Sequence, residues 1–148
     1  MLLYRGLWAL LQYRVAHRYR RYAVLRPILS VWRLFTETIT GISLPSEADI
    51  GPGLHISHPV GIVISSRAVI GSDCCITHGV TIGVSGEGAN RGVPRIGDRV
   101  YLGPHAVIVG PITIGDGAMI GANCVVSRDI PPGARVRPAP VSVSADGA

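Results

Sequence analysis

The sequence predicts an all-β core built from stacked triangular coils, with a short α-helical segment in front of it. Two observations carry this prediction. Aliphatic residues recur every six positions from residue 44 to residue 126, and glycines are frequent between them. The first 41 residues instead have apolar residues at the 3–4 spacing of an amphipathic helix, interrupted at Pro27.

Each six-residue unit is expected to form one short strand and one corner. The lead aliphatic residue points inward, a following glycine lets the backbone turn, and a small or aliphatic residue four places on fills the next corner. Three units close one coil. No coil buries its apolar face alone, so the coils must stack. The lead positions are Leu44, Ile50, Ile56, Ile62, Ile64, Ile70, Ile76, Ile82, Ile96, Leu102, Ile108, Ile114, Ile120 and Val126.

The pattern divides the chain into three segments. Residues 1–41 form a basic helical segment, residues 42–132 form the stack of coils, and residues 133–148 form an irregular tail. Between two lead isoleucines lies the polar, glycine-rich stretch "GVSGEGANRGVPR". It predicts a loop over residues 84–95 that projects from the stack, and loops on a rigid scaffold often line binding sites.

Composition limits the chemistry and the compartment. All 14 basic side chains are arginines, so lysine-based chemistry is excluded. Three cysteines, an odd number without metal-ligand spacing, favour a reducing cytoplasm over a secreted disulfide framework, and no metal cofactor is expected.

The net charge of +5 is concentrated in the N-terminal segment, whose first acidic residue is Glu37. Its basic helix is open to three interpretations. It has a solvated face, it packs on the coils or on a neighbouring subunit, or it makes peripheral contact with an anionic membrane. Binding to nucleic acid is not expected, because no base-reading motif accompanies the charge.

Three histidines, His58, His78 and His105, are the candidates for chemistry. The first two each follow a lead isoleucine by two places in adjacent coils, so they are expected on one face about 4.8 Å apart, beside the loop 84–95. His105 falls on the same face about one coil further on. Packing, metal binding and general-base catalysis are the three interpretations; a metal needs a third ligand, whereas neutral imidazole is suited to removing a hydroxyl proton near pH 7.

The segments "GLHISHPVGIVI", "AVIG", "ITHGVTIG" and "PRIGDRVYLGPHAVIVGPITIGDGAMIGANCVV" resemble the hexapeptide-repeat acyltransferases, and among them a short form of the serine O-acetyltransferases. The resemblance implies a left-handed parallel β-helix, a homotrimer, acetyl-CoA as co-substrate and a small-molecule acceptor with a hydroxyl group. The acceptor is serine or a related molecule. A sugar hydroxyl in polysaccharide or natural-product biosynthesis is one alternative, and a catalytically inactive assembly module is another.

The resemblance also assigns roles to residues. His58 is the catalytic base, with His78 beside it, and the acyl group passes directly from the thioester to the acceptor. Backbone amides near Gly83 or Gly103 would hold the oxyanion. The expected contacts with acetyl-CoA are Gly83, Arg95, Gly103, Pro104, Ala122 and Asn123.

Three departures from the family pattern concern the acceptor. Ser43 stands where the family has an Asp that orients the base, and Ser57 stands where an Asp precedes the base. The Arg-His pair that holds the amino acid carboxylate aligns with Gly92 and Val93, and Arg91, one place away, is the candidate replacement. The acetyl-transfer half of the resemblance is therefore intact, whereas recognition of serine is open.

Overall fold

The computed structural model describes residues 2–87 and 91–139. After two N-terminal helices, these residues form short parallel strands in three flat sheets that enclose one core. Sheet A contains β1 (Ile42–Ser43), β4 (Ile62–Ile64), β7 (Thr81–Gly83), β10 (Val107–Val109) and β13 (Val125–Val126). Sheet B contains β2 (Asp49–Ile50), β5 (Val69–Ile70), β8 (Arg95–Ile96) and β11 (Thr113–Ile114). Sheet C contains β3 (His55–Ile56), β6 (Cys75–Ile76), β9 (Tyr101–Leu102), β12 (Met119–Ile120) and β14 (Arg135–Val136).

The chain visits the sheets in the order A, B, C, so each circuit is one triangular coil. Every aliphatic residue predicted to lead a six-residue unit is buried, and these residues form a single continuous core. The small residues predicted to fill the corners are buried too, except Val60, which is 50% exposed. That valine lies in the corner lengthened by two residues, where the inward spacing is lost.

The corner between sheets B and C, which we call the aspartate corner, is tied together by carboxylates. The Asp98 side chain accepts a hydrogen bond from the backbone amide of Ser72 in the coil below (2.7 Å), and Asp116 accepts one from the amide of Asp98 (2.9 Å). Each carboxylate thus satisfies a corner amide of the preceding coil, which stabilises the stack.

The basic segment folds as α1 (Leu2–Tyr19), a 3₁₀ turn (Ala23–Leu25) and α2 (Arg26–Thr40). Pro27 occupies the first turn of α2, so the predicted break between two helices is confirmed and falls just before it. Helix α1 packs on the first coil. The Tyr13 hydroxyl donates to the carbonyl of Ala48 (2.9 Å) and accepts from the amide of Ile50 (3.1 Å).

One side of α2 is apolar and faces outward, since Ile28, Val31, Leu34 and Phe35 are all more than half exposed. At the edge of this apolar side, Trp32 packs edge-on against Trp8 of α1, with ring centroids 6.4 Å apart. None of the helices in the described residues is both long and apolar enough to cross a membrane.

Two predicted boundaries differ from the structure. The β-helix continues past residue 132, because β14 pairs in parallel with β12; residues 140–148 of the predicted tail lie outside the described residues. Within the predicted loop 84–95, Ser85 and Gly92 form an antiparallel bridge and Arg95 already belongs to β8, while residues 88–90 lie outside the described residues.

Candidate active site

Three histidines meet at the corner between sheets C and A, which we call the histidine corner. The ring centroids of His58 and His78 are 6.1 Å apart, and those of His78 and His105 are 5.0 Å apart. Both pairs meet edge to face, at 88° and 89°. The prediction of one shared face is confirmed, but the rings are nearly perpendicular, because successive coils turn this corner with different backbone conformations.

The backbone conformations at this corner are unusual and set the orientations of the rings. His58 and His105 have left-handed backbones, with φ of 54° and 56°, a region that is unfavourable for residues other than glycine. The amide of His105 donates to the carbonyl of His78 (3.0 Å), which fixes the upper coil on the lower one. Gly79 also has a positive φ, and a Cβ placed there would overlap the His105 ring. A glycine at this position therefore leaves room for that ring.

The middle imidazole has a ring nitrogen without a hydrogen-bond partner among the described residues. His78 is half-buried, and among the described residues its Nδ1 is buried without a hydrogen-bond partner. An unpaired buried polar atom is destabilising, and proteins retain such atoms mainly where function requires them. His58 and His105 on either side of it are exposed to solvent, so the cluster is open to a ligand.

The prediction that the histidines lie beside the loop 84–95 is wrong within a single chain. The loop leaves between β7 and β8, at the corner between sheets A and B, whereas the histidines lie at the other edge of sheet A. At its far end Gly92 is packed so closely on Pro111 that a Cβ would overlap it. Pro111 lies at the same A–B corner in the next coil, so the described returning end of the loop lies along that corner.

Ser43 is bound to a carboxylate that the sequence did not reveal. Its hydroxyl donates to Glu37 in the last turn of α2 (2.9 Å), and the same carboxylate lies 3.8 Å from Arg33. Ser43 thus has a carboxylate behind it, although it is not one itself. Ser57, the other serine in place of an Asp, is half-buried, and its amide donates to the carbonyl of Ile76 (2.9 Å).

Four predicted cofactor contacts lie on the later coils of the histidine corner. Gly103 and Pro104 precede His105, and Ala122 and Asn123 occupy the corner of the next coil. The amide of Gly103 donates to the carbonyl of Ile120 (2.8 Å), so this one amide is not free to bind an oxyanion, and an oxyanion site near Gly83 or Gly103 stays a prediction. Asn123 is exposed, and its left-handed backbone stacks it on Pro104.

The remaining predicted contacts belong to the opposite edge of sheet A. Gly83 ends β7, and its carbonyl accepts from the amide of Gly110 (3.4 Å). Arg95 is exposed on sheet B, in register with Val69. Arg91 is exposed on the returning side of the loop. Within one chain the structure does not bring these residues to the histidines.

The cysteines are poor nucleophiles. Burial raises the pKa of Cys74 in the core and that of Cys75 on sheet C, so both thiols are protonated near neutral pH. The described residues contain no group of three or more His, Cys, Asp or Glu arranged to hold a metal ion. The exposed imidazole of His58 is the kind of group that acts as a general base near neutral pH.

The triangular β-helix and its imidazole cluster are what the resemblance to acyltransferases implies, and comparison with known sequences supports that class. Residues 94–128 match the family described as bacterial transferase hexapeptide (six repeats). The chain is 43% identical over 136 residues to a serine acetyltransferase of Helicobacter pylori, covering 90% of this chain and 77% of that protein. It is 40% identical over 134 residues to one of Mycobacterium tuberculosis, of which it covers 58%.

Solved structures agree with the sequence relatives. Neisseria gonorrhoeae serine acetyltransferase in complex with serine matches with a TM-score of 0.78 and 37% identity, over 91% of this chain and 55% of that one. The Brucella abortus enzyme in complex with coenzyme A matches with a TM-score of 0.81 and 28% identity, over 89% and 52%. The chain thus spans about half the length of these structures. It belongs to the serine acetyltransferase family, which confirms the predicted left-handed parallel β-helix and the acyltransferase class.

Proposed function

We propose that this protein transfers the acetyl group of acetyl-CoA to the hydroxyl of serine or a related small acceptor. The observation that carries the proposal is the exposed His58 ring, held at a corner by a left-handed backbone and flanked by His78. Family membership supports the reaction class, and the solved relatives crystallised with serine and with coenzyme A support the two substrates.

The mechanism needs one proton carrier. His58 removes the proton from the acceptor hydroxyl as the oxygen attacks the thioester carbonyl carbon. When the resulting tetrahedral intermediate collapses, the carbon–sulfur bond breaks and the imidazolium returns its proton to the departing thiolate. The products are the acetyl ester and coenzyme A.

The carboxylate of Glu37 provides a candidate replacement for the orienting Asp. Helix α2 ends at Gly41, beside Gly61 and therefore at the histidine corner one coil below His58. The Ser43 hydroxyl donates its hydrogen to Glu37, which leaves the Ser43 oxygen lone pairs available to accept from an imidazole N–H. We propose that this pair orients the base.

We also propose a homotrimer in which the site lies between subunits. The outward positions of sheet A form one row in register, Val63, Thr81, Val107 and Val125, of which the first and last are 50% and 71% exposed. This sheet separates the histidine corner from the corner carrying Arg95 and the loop. Packing of a second copy on the row would bring its loop corner beside the histidines. We propose a cytoplasmic location, where three free cysteines stay reduced.

A sugar hydroxyl is the second candidate acceptor, since Gly92 and Val93 replace the pair that holds the amino acid carboxylate in the resemblance described above. The first test is release of coenzyme A thiol from acetyl-CoA with serine and with a panel of sugars, for wild type and His58→Ala. We expect the substitution to lower turnover by about 10²–10⁴-fold. Equal rates of thiol release by the two proteins would exclude the proposed role of His58 and favour an inactive assembly module.

A further inference from the structure

A polar cavity lies away from the histidine corner, between the two helices and the first coil. Its volume is about 540 Å³. It is lined by the end of α1, the start of α2 and the first corner between sheets A and B. Four arginines contribute to its wall, namely Arg20, Arg21, Arg26 and Arg33, together with Gln12, Ser30, Ser46 and Glu47. Glu47 lines the cavity and Glu37 lies 3.8 Å from Arg33, so two carboxylates oppose four guanidinium groups and the net charge stays positive.

The floor of the cavity contains an unsatisfied donor. Gln12 is only 2% exposed, yet among the described residues its side-chain Nε2 is buried without a hydrogen-bond partner. Leaving a buried amide N–H unpaired is destabilising. An acceptor bound in the cavity would satisfy it, whereas a cation would not.

The start of α2 adds positive potential rather than free donors. The helix begins at Arg26 without a side-chain cap and without an acidic residue in its first turn, so the helix dipole makes this end positive. The Arg26 amide already donates to the Ala23 carbonyl, and Pro27 has no N–H. The arginines of the cavity wall use only some of their N–H groups in contacts within the chain. Arg20 donates to the carbonyls of Ser46 and Glu47 (3.4 and 3.3 Å), and Arg21 donates to the Tyr22 hydroxyl (3.1 Å).

We propose that this cavity binds a phosphoryl or diphosphoryl group. Several guanidinium groups, a neutral amide donor and a helix N-terminus suit an anion with many acceptor oxygens and more than one charge. The cavity lies at the first coil. The predicted acetyl-CoA contacts lie two or more coils further on, most of them at the histidine corner and Gly83 and Arg95 at the corner between sheets A and B, so we expect the cavity to take a phosphoryl group other than those of the co-substrate. The group belongs either to a soluble phosphorylated compound or to a lipid headgroup, and the exposed apolar side of α2 next to Arg26 is compatible with the second source.

The test is a calorimetric titration of the full chain with inorganic pyrophosphate, and flotation with phosphatidylcholine vesicles containing phosphatidic acid. The probe variant is Arg21→Gln/Arg26→Gln. The matched control is Arg67→Gln/Arg128→Gln, which removes two exposed arginines of the β-helix. We expect the probe variant to lose at least about tenfold in affinity, and the control to keep the wild-type affinity.

Binding of pyrophosphate alone identifies a soluble ligand. Vesicle binding that pyrophosphate competes away identifies a lipid headgroup. If the probe and control variants bind both ligands equally, or if wild type binds neither, the proposal is overturned.

The isosteric variant Gln12→Glu gives an independent readout without ligand. A carboxylate at this position would pair with the arginines, so we expect a higher thermal midpoint than wild type and no further rise on adding pyrophosphate. A lower midpoint, with pyrophosphate still stabilising the variant, would contradict the assignment.

Discussion

The aspartate corner and the histidine corner occupy the same kind of position in the coil, but they treat polar groups in opposite ways. At the aspartate corner the carboxylates of Asp98 and Asp116 each accept from a backbone amide of the coil below. At the histidine corner the rings contact one another by their edges, and the buried Nδ1 of His78 has no partner among the described residues. The first corner is arranged for stability and the second is arranged for access by a ligand.

The two corners also differ in what their glycines meet. A Cβ placed on Gly71, at the aspartate corner, would lie 2.6 Å from the carbonyl oxygen of Gly97 in the next coil. A Cβ on Gly79, at the histidine corner, would overlap only the exposed His105 ring. A clash with the backbone of the next coil is relieved only if the two coils separate, whereas a clash with a side chain is relieved when that side chain rotates away.

The largest effect is expected from alanine at these two glycines. Gly71→Ala should lower the free energy of unfolding by about 3 kcal/mol, because the clash forces neighbouring coils apart. Gly79→Ala should lower it by only about 1–2 kcal/mol, since its cost is the positive φ and the displacement of one ring. Urea denaturation measures both values. Equal losses would show that the histidine corner is as rigid as the aspartate corner and would remove the contrast.

A smaller effect is expected from removing one carboxylate of the aspartate corner. Asp98→Ala leaves the Ser72 amide without its acceptor, and we expect a loss of about 1–3 kcal/mol in the free energy of unfolding. The control is Asp49→Ala, which removes an exposed aspartate of sheet B. Turnover of the folded enzyme should be the same in both variants. If Asp98→Ala unfolds at the same urea concentration as the control, the carboxylates do not hold the coils together.

Much of the fold was predictable from the sequence, because the β-helix repeats one packing problem at every third strand. Each lead aliphatic residue faces the same core, so the period alone predicted the buried column and brought His58, His78 and His105 to one face. The exception among the corner residues, Val60, lies where two extra residues break the period.

What the period could not predict are contacts between unlike elements. The bond from Ser43 to Glu37 joins a strand to a helix that has no six-residue repeat, and no motif marks that spacing. The engaged amide of Gly103 and the position of the loop 84–95 depend on which edge of sheet A each corner occupies. That requires following the coil in three dimensions. The polar cavity between the two helices and the first coil could not be predicted for the same reason, since its walls come from two helices and one corner of the β-helix.

The smallest expected change in stability has the opposite sign and concerns His78. His78→Phe keeps a flat ring between its two neighbours but removes the buried Nδ1 that has no partner among the described residues. Removing an unsatisfied buried atom should raise the free energy of unfolding by about 1 kcal/mol, because its desolvation is no longer opposed to folding. Thiol release should fall at the same time, since the ring beside His58 can no longer form a hydrogen bond with a bound ligand. Greater stability with lower turnover is the trade-off expected where a functional site retains a buried polar atom without a hydrogen-bond partner. A variant that is less stable and fully active would instead assign His78 to packing. The histidine corner would then serve the stability of the stack, as the aspartate corner does.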